Sequence, residues 1–294
     1  MREIVRPSLA ERTTLRLGGS ALVELLPENE EDAQALPERV RHWGGRPFVI
    51  GAGSNLLVRD EAQPLTLIRP LFREGPEIVG EDGGRVLVRV GAGVPLPRLL
   101  RFCAARGLGG LEGLAGIPGS VGGAVAMNAG SFGSETCRCL HSLRVCVDGK
   151  TEDVAAAAIG YGYRSCVLPA RGGVLPPLIL FATFGLTRME RNVITSLLRH
   201  NILKKKSTQP VTAWSAGCVF KNAPGVMPAG KLLDEAGFRG RRLGGMAFSS
   251  VHANFLINEG KGSAAAALAL IDEAAGCVSR RFGITLELEV RIVL

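Results

Sequence analysis

Residues 116–130 decide the fold class; they read Gly-Ile-Pro-Gly-Ser-Val-Gly-Gly-Ala-Val-Ala-Met-Asn-Ala-Gly. Small residues fill nearly every position, so this backbone lies against something flat or bulky, or against a second backbone. Close packing at a turn accounts for some of the glycines, but not for Pro-Gly-Ser, Gly-Gly and Asn-Ala-Gly within one run. A pyrophosphate and a flavin ring lying along the loop account for all three, because main-chain N–H groups in such loops can point at an anion.

A shorter glycine turn occupies residues 51–55, which read Gly-Ala-Gly-Ser-Asn and follow a short apolar run. Because it comes earlier in the chain, we call it the first glycine turn and residues 116–130 the second glycine loop. Its glycines and the side chains of Ser54 and Asn55 suit a phosphate group. Taken alone, a Gly-x-Gly turn after a strand is more often an ordinary connection. Leu56 stands where the dinucleotide fingerprint has its third glycine, and no Gly-Lys-Ser/Thr P-loop is present, so the sequence argues against a plain Rossmann domain.

Length and composition limit the class of protein. A chain of 294 residues predicts two domains or one large one. Glycine makes up 39 of the 294 residues, about 13%, against a usual share of about 7%. The net charge of +8 favours anionic partners such as phosphates or nucleotides. The seven cysteines, an odd number, indicate free thiols in a reducing compartment.

No segment reaches the roughly 18 uninterrupted apolar residues that a membrane span needs. The first residues are charged and lack the apolar stretch of a signal peptide. We therefore expect a soluble, cytoplasmic protein. Cys137 and Cys139 lack the spacing and the second pair of a zinc site, so we expect no metal.

Hydrophobic periodicity, together with the glycines and prolines that mark the ends of segments, predicts the order of helices and strands. Early strand, helix and strand segments, each ending at a turn, indicate mixed α and β structure. The predicted strands are Ala21–Pro27, Arg46–Ile50, Arg85–Val90, several between Leu143 and Phe184, and Thr285–Leu294. The predicted helices are Glu30–Trp43, Leu96–Arg106, Thr187–Lys206, Lys231–Ala236 and Ser263–Phe282.

Both glycine stretches, 51–58 and 116–130, resemble the FAD-contacting loops of the UDP-N-acetylenolpyruvoylglucosamine reductase (MurB) family. The resemblance covers nearly the whole chain in the right order. It continues through Tyr163-Arg164-Ser165, residues 215–222, residues 229–237, His252-Ala253-Asn254 and Glu289-Val290-Arg291.

The resemblance implies an α+β fold with two domains. A two-part FAD-binding domain of the vanillyl-alcohol-oxidase (PCMH) type would span residues 1–189, divided near residue 75. A C-terminal α+β substrate-binding domain would span residues 190–294, with its last strand returning to the active site. The implied cofactor contacts are Gly51, Ala52, Gly53, Ser54, Asn55, Leu56, Gly116, Ile117, Pro118, Gly119, Ser120, Gly122, Gly123, Asn128, Ala129 and Gly130.

The resemblance also implies an activity, namely the reduction of UDP-N-acetylglucosamine enolpyruvate to UDP-N-acetylmuramate with FAD and NADPH. This oxidoreductase reaction belongs to peptidoglycan precursor synthesis, and so to cell wall biogenesis, cell shape and cell division. The implied partners are the UDP-sugar and NADPH, without nucleic acid, and the protein is expected to be a monomer. Two half-reactions at a shared site would give ping-pong kinetics.

The same resemblance implies the catalytic residues Arg164, Cys218 and Glu289, and the substrate contacts Tyr163 and Asn222. An arginine suits a carboxylate on which negative charge develops. Cys218 stands where well-known members carry a serine that protonates the enolate. A thiol can do this work, because at an unperturbed pKa of about 8.5 it is mostly protonated at neutral pH and is a stronger acid than an alcohol.

Several points stay open in the sequence. Glu287 and Glu289 lie in one alternating segment, and only the spacing to Val290-Arg291 favours Glu289. The chain holds two tyrosines, which indicates the shorter subclass of the family that lacks a tyrosine-bearing loop. One alternative is a flavin oxidase or dehydrogenase of the same fold with another substrate; a second is a catalytically inactive flavin- or nucleotide-binding protein. A basic nucleic-acid-binding protein is disfavoured, because aromatic residues do not interleave with the basic ones.

Overall fold

The computed structural model describes residues 1–168, 173 and 175–293. Cα distances divide the chain into two compact units, each assembled from separated segments. The first unit consists of Met1–Arg6, Leu22–Ala52 and Pro64–Lys204. The second unit consists of Pro7–Ala21, Gly53–Gln63 and Lys205–Leu294.

The strands, in chain order, are β1 (Arg2–Val5), β2 (Val23–Leu26), β3 (Arg46–Val49), β4 (Leu56–Val58), β5 (Leu65–Ile68), β6 (Glu77–Asp82), β7 (Arg85–Gly91), β8 (Leu108–Gly109), β9 (Gly130–Ser131), β10 (Ser134–Glu135), β11 (Leu140–Val147), β12 (Lys150–Ala155), β13 (Gly160–Gly162), β14 (Ser165–Val167), β15 (Leu178–Arg188), β16 (Trp214–Cys218), β17 (Arg242–Leu243), β18 (Met246–Phe248), β19 (Phe255–Asn258) and β20 (Arg291–Val293). The helices are α1 (Glu30–Trp43), α2 (Leu96–Arg106), α3 (Val121–Ala126), α4 (Arg191–Thr208), α5 (Ala229–Glu235) and α6 (Ala264–Phe282).

The first unit contains two large sheets, in addition to the short antiparallel pairs β9-β10 and β13-β14. One has the strand order β1-β2-β5-β3, in which β1 is antiparallel to β2 while β2, β5 and β3 run parallel. The other has the order β12-β11-β15-β7-β6 and is antiparallel throughout. Alternate residues of β7, from Val86 to Val90, are fully buried in the same apolar cluster as Leu99 of α2 and Val121 of α3. Because Val121 belongs to residues 116–130, this cluster anchors the second glycine loop in the core of the first unit.

In the second unit, α6 shares an apolar core with a four-stranded antiparallel sheet of order β16-β19-β18-β17. Two early segments of the chain are tied to this sheet and helix by hydrogen bonds. Thr14 Oγ1 donates to the carbonyl oxygen of Ser215 at 2.6 Å, and Asn258 Nδ2 donates to that of Leu15 at 3.1 Å. The N–H of Ala264 donates to Asp60 Oδ2 at 2.7 Å. These bonds explain why residues 7–21 and 53–63 belong to the second unit.

Most predicted elements appear near their predicted positions, with two differences. The strand β15 continues to Arg188, so the following helix begins at Arg191 rather than Thr187. The predicted strand from Thr285 is regular only from Arg291 to Val293, because residues 284–290 have no continuous partner strand and make a single bridge, Leu288 to Phe220. Within the predicted strand regions, residues 169–172, 174 and 294 lie outside the described residues.

The division into domains at residues 75 and 189 stays a prediction. The compact units differ from it, since segments before residue 64 are shared between both units. Among the described residues, no helix is long and apolar enough to cross a membrane.

Candidate active site

The first unit brings the start of one glycine turn against the other. Gly51 follows β3, and a Cβ atom at this residue would lie 2.8 Å from Ser120 Oγ, so the approach requires glycine. The loop before α3 is bound in turn to the segment after β7. The N–H of Gly122 donates to the carbonyl oxygen of Ala92 at 2.9 Å, and a Cβ atom at Gly122 would lie 2.8 Å from Ala92 Cβ. Small side chains therefore let two backbone turns lie together.

Several main-chain donors of these turns are left without an acceptor in the described part of the chain. In the first unit they include the N–H groups of Ala52, Gly119 and Ser120. In the second unit they are those of Gly53 and Asn55, of which Gly53 is buried. Unpaired N–H groups at glycine turns are the donors that a pyrophosphate accepts. Within each unit, these donors fit a phosphate group of FAD.

The side chain of Asn128 is bound within the protein, and the predicted contact of this residue with the cofactor stays a prediction. Its exposed fraction is 0%, and its amide is used within the first unit. Nδ2 donates to the carbonyl oxygen of Gly162 at 2.9 Å, while Oδ1 accepts from the N–H of Cys137 at 3.0 Å. The side chain therefore holds the hairpin of β13 and β14 to the end of the second glycine loop.

Arg164 lies at the tip of this hairpin, between the paired residues Gly162 and Ser165. Its φ of 56° lies in the left-handed region, which costs a residue other than glycine of order 1 kcal/mol. Arg164 Nη2 donates to the carbonyl oxygen of Gly130 at 2.9 Å, and its guanidinium carbon lies 4.9 Å from the centre of the Tyr163 ring. The first unit thus brings together Tyr163, Arg164 and the second glycine loop.

In the second unit, Cys218 follows a β-bulge. Ser215 pairs with Ile257 and Cys218 pairs with Phe255, so β16 has one residue more than β19 between these pairs. Gly217, within the bulge, has φ of 82°, and its N–H donates to Ser215 Oγ at 3.2 Å. Bulges of this kind redirect the following side chain and are frequent beside active sites.

Cys218 and Glu289 lie on neighbouring extended segments. The carbonyl oxygen of Val219 accepts from the N–H of Glu289 at 2.8 Å and from that of Val290 at 3.3 Å. Glu287, two residues earlier, forms an ion pair with Lys221 and is exposed. The two glutamates thus have different surroundings, and the choice of Glu289, which the spacing to Val290-Arg291 favours, stays a prediction.

Besides Asn258, further asparagines of the second unit bind main chain. Asn254 is 1% exposed; its Oδ1 accepts from the N–H of Phe220 at 2.9 Å and its Nδ2 donates to the Phe220 carbonyl oxygen at 2.8 Å. Asn222 Oδ1 accepts from the N–H of Ala229, the first residue of α5, at 2.9 Å. Asn55 Nδ2 donates to the carbonyl oxygen of Glu289 at 3.0 Å. The sequence resemblance includes Asn254 but does not indicate its role, because an asparagine contributes nothing to hydrophobic periodicity.

The remaining cysteines differ in burial. Cys103, Cys137 and Cys146 are buried, and burial raises the pKa of the Cys103 thiol to about 12. A hydrogen bond with Cys166 and then burial raise the pKa of Cys137, and the same bond lowers the pKa of Cys166. Burial therefore keeps the thiol of Cys103 protonated and unreactive at neutral pH. Among the described residues, no three His, Cys, Asp or Glu side chains are grouped as metal ligands.

Comparison with known proteins identifies the family. Residues 209–293 match the family described as UDP-N-acetylenolpyruvoylglucosamine reductase, C-terminal domain, and residues 21–154 match the FAD binding domain. The UDP-N-acetylenolpyruvoylglucosamine reductase of Nitratidesulfovibrio vulgaris is 52% identical over 98% of this chain and 97% of its own length. That of Oleidesulfovibrio alaskensis is 48% identical over 97% of this chain and 96% of its own length. The chain belongs to the UDP-N-acetylenolpyruvoylglucosamine reductase family.

A solved structure of the reductase family agrees with this assignment. The crystal structure of UDP-N-acetylenolpyruvylglucosamine reductase (MurB) from Thermus caldophilus is 35% identical, covers 100% of both chains and has a TM-score of 0.82. The predicted α+β fold with an FAD-binding domain, the oxidoreductase class and FAD as cofactor are confirmed. The assignment of individual contacts within this reductase family member stays a prediction.

Proposed function

We propose that the protein reduces the enolpyruvyl ether of UDP-N-acetylglucosamine enolpyruvate to UDP-N-acetylmuramate, with NADPH as the reductant, in peptidoglycan precursor synthesis. Relatives named for this reaction cover nearly the whole chain at 52% and 48% identity. The observation that carries the proposal is the bulge that redirects Cys218 beside the segment of Glu289. FAD, once bound and reduced by a hydride from NADPH, would supply that hydride to the methylene carbon of the enol ether.

The glycine turns would hold the cofactor through main chain. The unpaired N–H groups of Ala52, Gly119 and Ser120, and those of Gly53 and Asn55, are the donors for its phosphates. They are fixed before a ligand arrives, because the turns are already bound to neighbouring backbone. Binding at such preorganised donors costs little reordering.

Arg164 is proposed to stabilise the charge that develops on the substrate carboxylate. When the methylene carbon gains a hydride, the electron pair of the double bond moves toward the carboxylate and forms an enolate. A guanidinium, with its rigid fork of donors, binds such a group and remains charged at every working pH. The hairpin maintains the positive φ of Arg164, although this conformation is unfavourable for arginine. Unfavourable backbone conformations that the surrounding structure maintains are typical of functional residues.

Cys218 is proposed to supply the proton. Its S–H bond breaks as a C–H bond forms at the carbon next to the carboxylate, and the resulting thiolate regains a proton from water. Atoms and electrons balance, since one hydride and one proton together saturate the double bond. Glu289 is proposed as the second catalytic side chain beside Cys218, on the segment bound to Val219.

An anaerobic absorbance experiment tests the proposal. NADPH is expected to bleach the flavin band of the purified holoenzyme, and UDP-N-acetylglucosamine enolpyruvate is expected to restore it. Bleaching without recovery would refute the substrate, and an unchanged band would refute NADPH as the reductant.

Cys218 is tested separately from the substrate. In Cys218→Ala, bleaching is expected to persist while recovery slows by about 10² to 10⁴, the usual contribution of a general acid. Cys218→Ser is expected to retain part of the rate, because a hydroxyl can also donate. The matched control is Cys277→Ala on α6, which removes a half-buried thiol and should leave both half-reactions unchanged. Recovery of Cys218→Ala at the wild-type rate would refute the proton-donor role.

A further inference from the structure

The first glycine turn is joined directly to the segment that carries Glu289. Asn55 Nδ2 donates to the carbonyl oxygen of Glu289 at 3.0 Å. The N–H of Arg291 donates to the carbonyl oxygen of Asn55, also at 3.0 Å. One residue of the turn therefore binds the main chain on both sides of Val290.

These two bonds begin a longer contact. Immediately after them, β4 and β20 pair in parallel, with Leu56 opposite Arg291. On its other side, the N–H of Glu289 donates to the carbonyl oxygen of Val219 at 2.8 Å. The peptide groups around Glu289 are thus held from two directions, by Asn55 and by the residue that follows Cys218.

We propose that Asn55 is a positioning residue, whose side-chain amide fixes the peptide of Glu289 and thereby the direction in which the Glu289 carboxyl leaves the chain. This inference rests on the proposed function, which assigns Glu289 to the reaction. The sequence predicts that the Asn55 side chain suits a phosphate; in the structure, one N–H of its amide is used for Glu289, and its main-chain N–H remains for the cofactor. The turn would then bind the cofactor through main chain and place Glu289 through a side chain.

The chemistry of the contact selects the variants. A carbonyl oxygen needs a donor, and asparagine provides one whereas aspartate of the same size does not. Asn55→Asp and Asn55→Ala both remove the donor, and only the first adds a negative charge. An equal effect of both variants indicates the lost hydrogen bond, whereas an effect of Asn55→Asp alone would indicate repulsion of a phosphate and would overturn the proposal.

Steady-state kinetics at saturating FAD provide the first test. Both variants are expected to lower kcat by about 10- to 100-fold, the cost of misplacing a reacting group by about 1 Å. In a Glu289→Gln background, Asn55→Ala is expected to lower kcat by no more than roughly twofold, because its effect acts through the glutamate. Fully additive losses in the double variant would overturn the proposal. Asn192→Asp, an exposed asparagine on α4, is the matched control and should keep the wild-type kcat.

Deuterium exchange provides a second test that does not depend on turnover. In the FAD-loaded protein, Asn55→Ala is expected to speed exchange at residues 289–291 by about tenfold, with α6 unchanged. Unchanged exchange there would overturn the proposal. Failure of the proposed function appears separately, as a wild-type enzyme that does not turn over the enolpyruvyl nucleotide, or as a Glu289→Gln variant with full kcat. In either case the exchange measurement still decides whether Asn55 holds the peptide of Glu289.

Discussion

Replacement of Asn254 tests the packing behind Cys218. The N–H and C=O of Phe220 point away from Leu288, because the hydrogen bonds of that bridge are made by Lys221 and Glu289. Asn254 satisfies both groups, at 2.9 and 2.8 Å, and both residues are 1% exposed. The Asn254 amide thus makes the two main-chain hydrogen bonds that a neighbouring strand would otherwise make with Phe220.

The magnitude follows from this geometry. Asn254→Leu keeps the side-chain volume and leaves one buried N–H and one buried C=O without partners. Each such group costs about 1–3 kcal/mol, so the free energy of unfolding of the second unit should fall by about 2–6 kcal/mol. The control Ser279→Leu, at an exposed position on α6 in the same unit, should change it by less than about 0.5 kcal/mol.

Asn254→Asp adds a dependence on pH. An ionised carboxylate accepts from the N–H of Phe220 but repels its carbonyl oxygen, whereas the protonated acid donates to that oxygen as the amide does. Burial beside a carbonyl raises the pKa of this carboxyl in the folded state above the unfolded value of about 3.9. The folded variant therefore holds the proton more tightly than the unfolded chain does. Its free energy of unfolding should approach that of wild type as the pH falls from 7 toward 4.

The assay is urea unfolding followed by tryptophan fluorescence. The chain has two tryptophans, Trp43 in the first unit and Trp214 in the second. A Trp43→Phe background leaves Trp214 as a reporter of the second unit. Two results would refute this account. One is an Asn254→Leu protein whose free energy of unfolding lies within about 0.5 kcal/mol of that of its parent, and the other is a loss of unfolding free energy in Asn254→Asp that does not change with pH.

Three further predictions use the same structure. Gly217→Ala forces a Cβ atom into φ of 82° and should slow flavin-band recovery with FAD affinity unchanged; weakened FAD binding instead would contradict the bulge assignment. Burial, and then Arg239, lower the pKa of His252, so its neutral form stabilises the fold fully above pH 6.5 and less as pH falls through the folded pKa. His252→Gln should flatten the loss of unfolding free energy between pH 7 and 5, and parallel curves for both proteins would be the contrary result. Gly122→Ala should lower FAD affinity, measured by flavin fluorescence, because its Cβ atom would displace the loop from Ala92; an unchanged dissociation constant would contradict this.

Elements with local end signals are predictable from the sequence. The prediction for α1 matches the structure at both ends, where Asn29 caps the first turn and Gly44 ends the helix. The same holds for α2, which ends at Gly107 in the left-handed conformation. These signals lie within a few residues of the element and do not depend on distant contacts.

The segment before β20 shows where local patterns fail. Alternation from Leu286 to Arg291 predicts a regular strand, yet hydrogen bonds along it go to two different partners. Glu289 is bound by Val219 through its N–H and by Asn55, 234 positions earlier, through its carbonyl oxygen. Alternation describes which side chains share a face, but it does not identify the partner strand. For that reason the sequence could suggest Glu289 by resemblance and by its spacing to Val290-Arg291, whereas the bonds that hold its main chain, and the ion pair of Glu287 with Lys221, appear only in the structure.

In the glycine-rich loops, the need for glycine and the ability to bind a phosphate have different physical causes. Gly122 is required by Ala92 and Gly130 by the Ser134 carbonyl, both contacts within the protein. The donors that suit a phosphate belong instead to main-chain N–H groups left without acceptors in the described chain, and some of these, as in Ala52 and Ser120, are not glycines. A ligand binds donors, and glycine only permits the backbone that presents them. The contacts of FAD should therefore follow the unpaired N–H groups rather than the glycine pattern from which the cofactor was predicted.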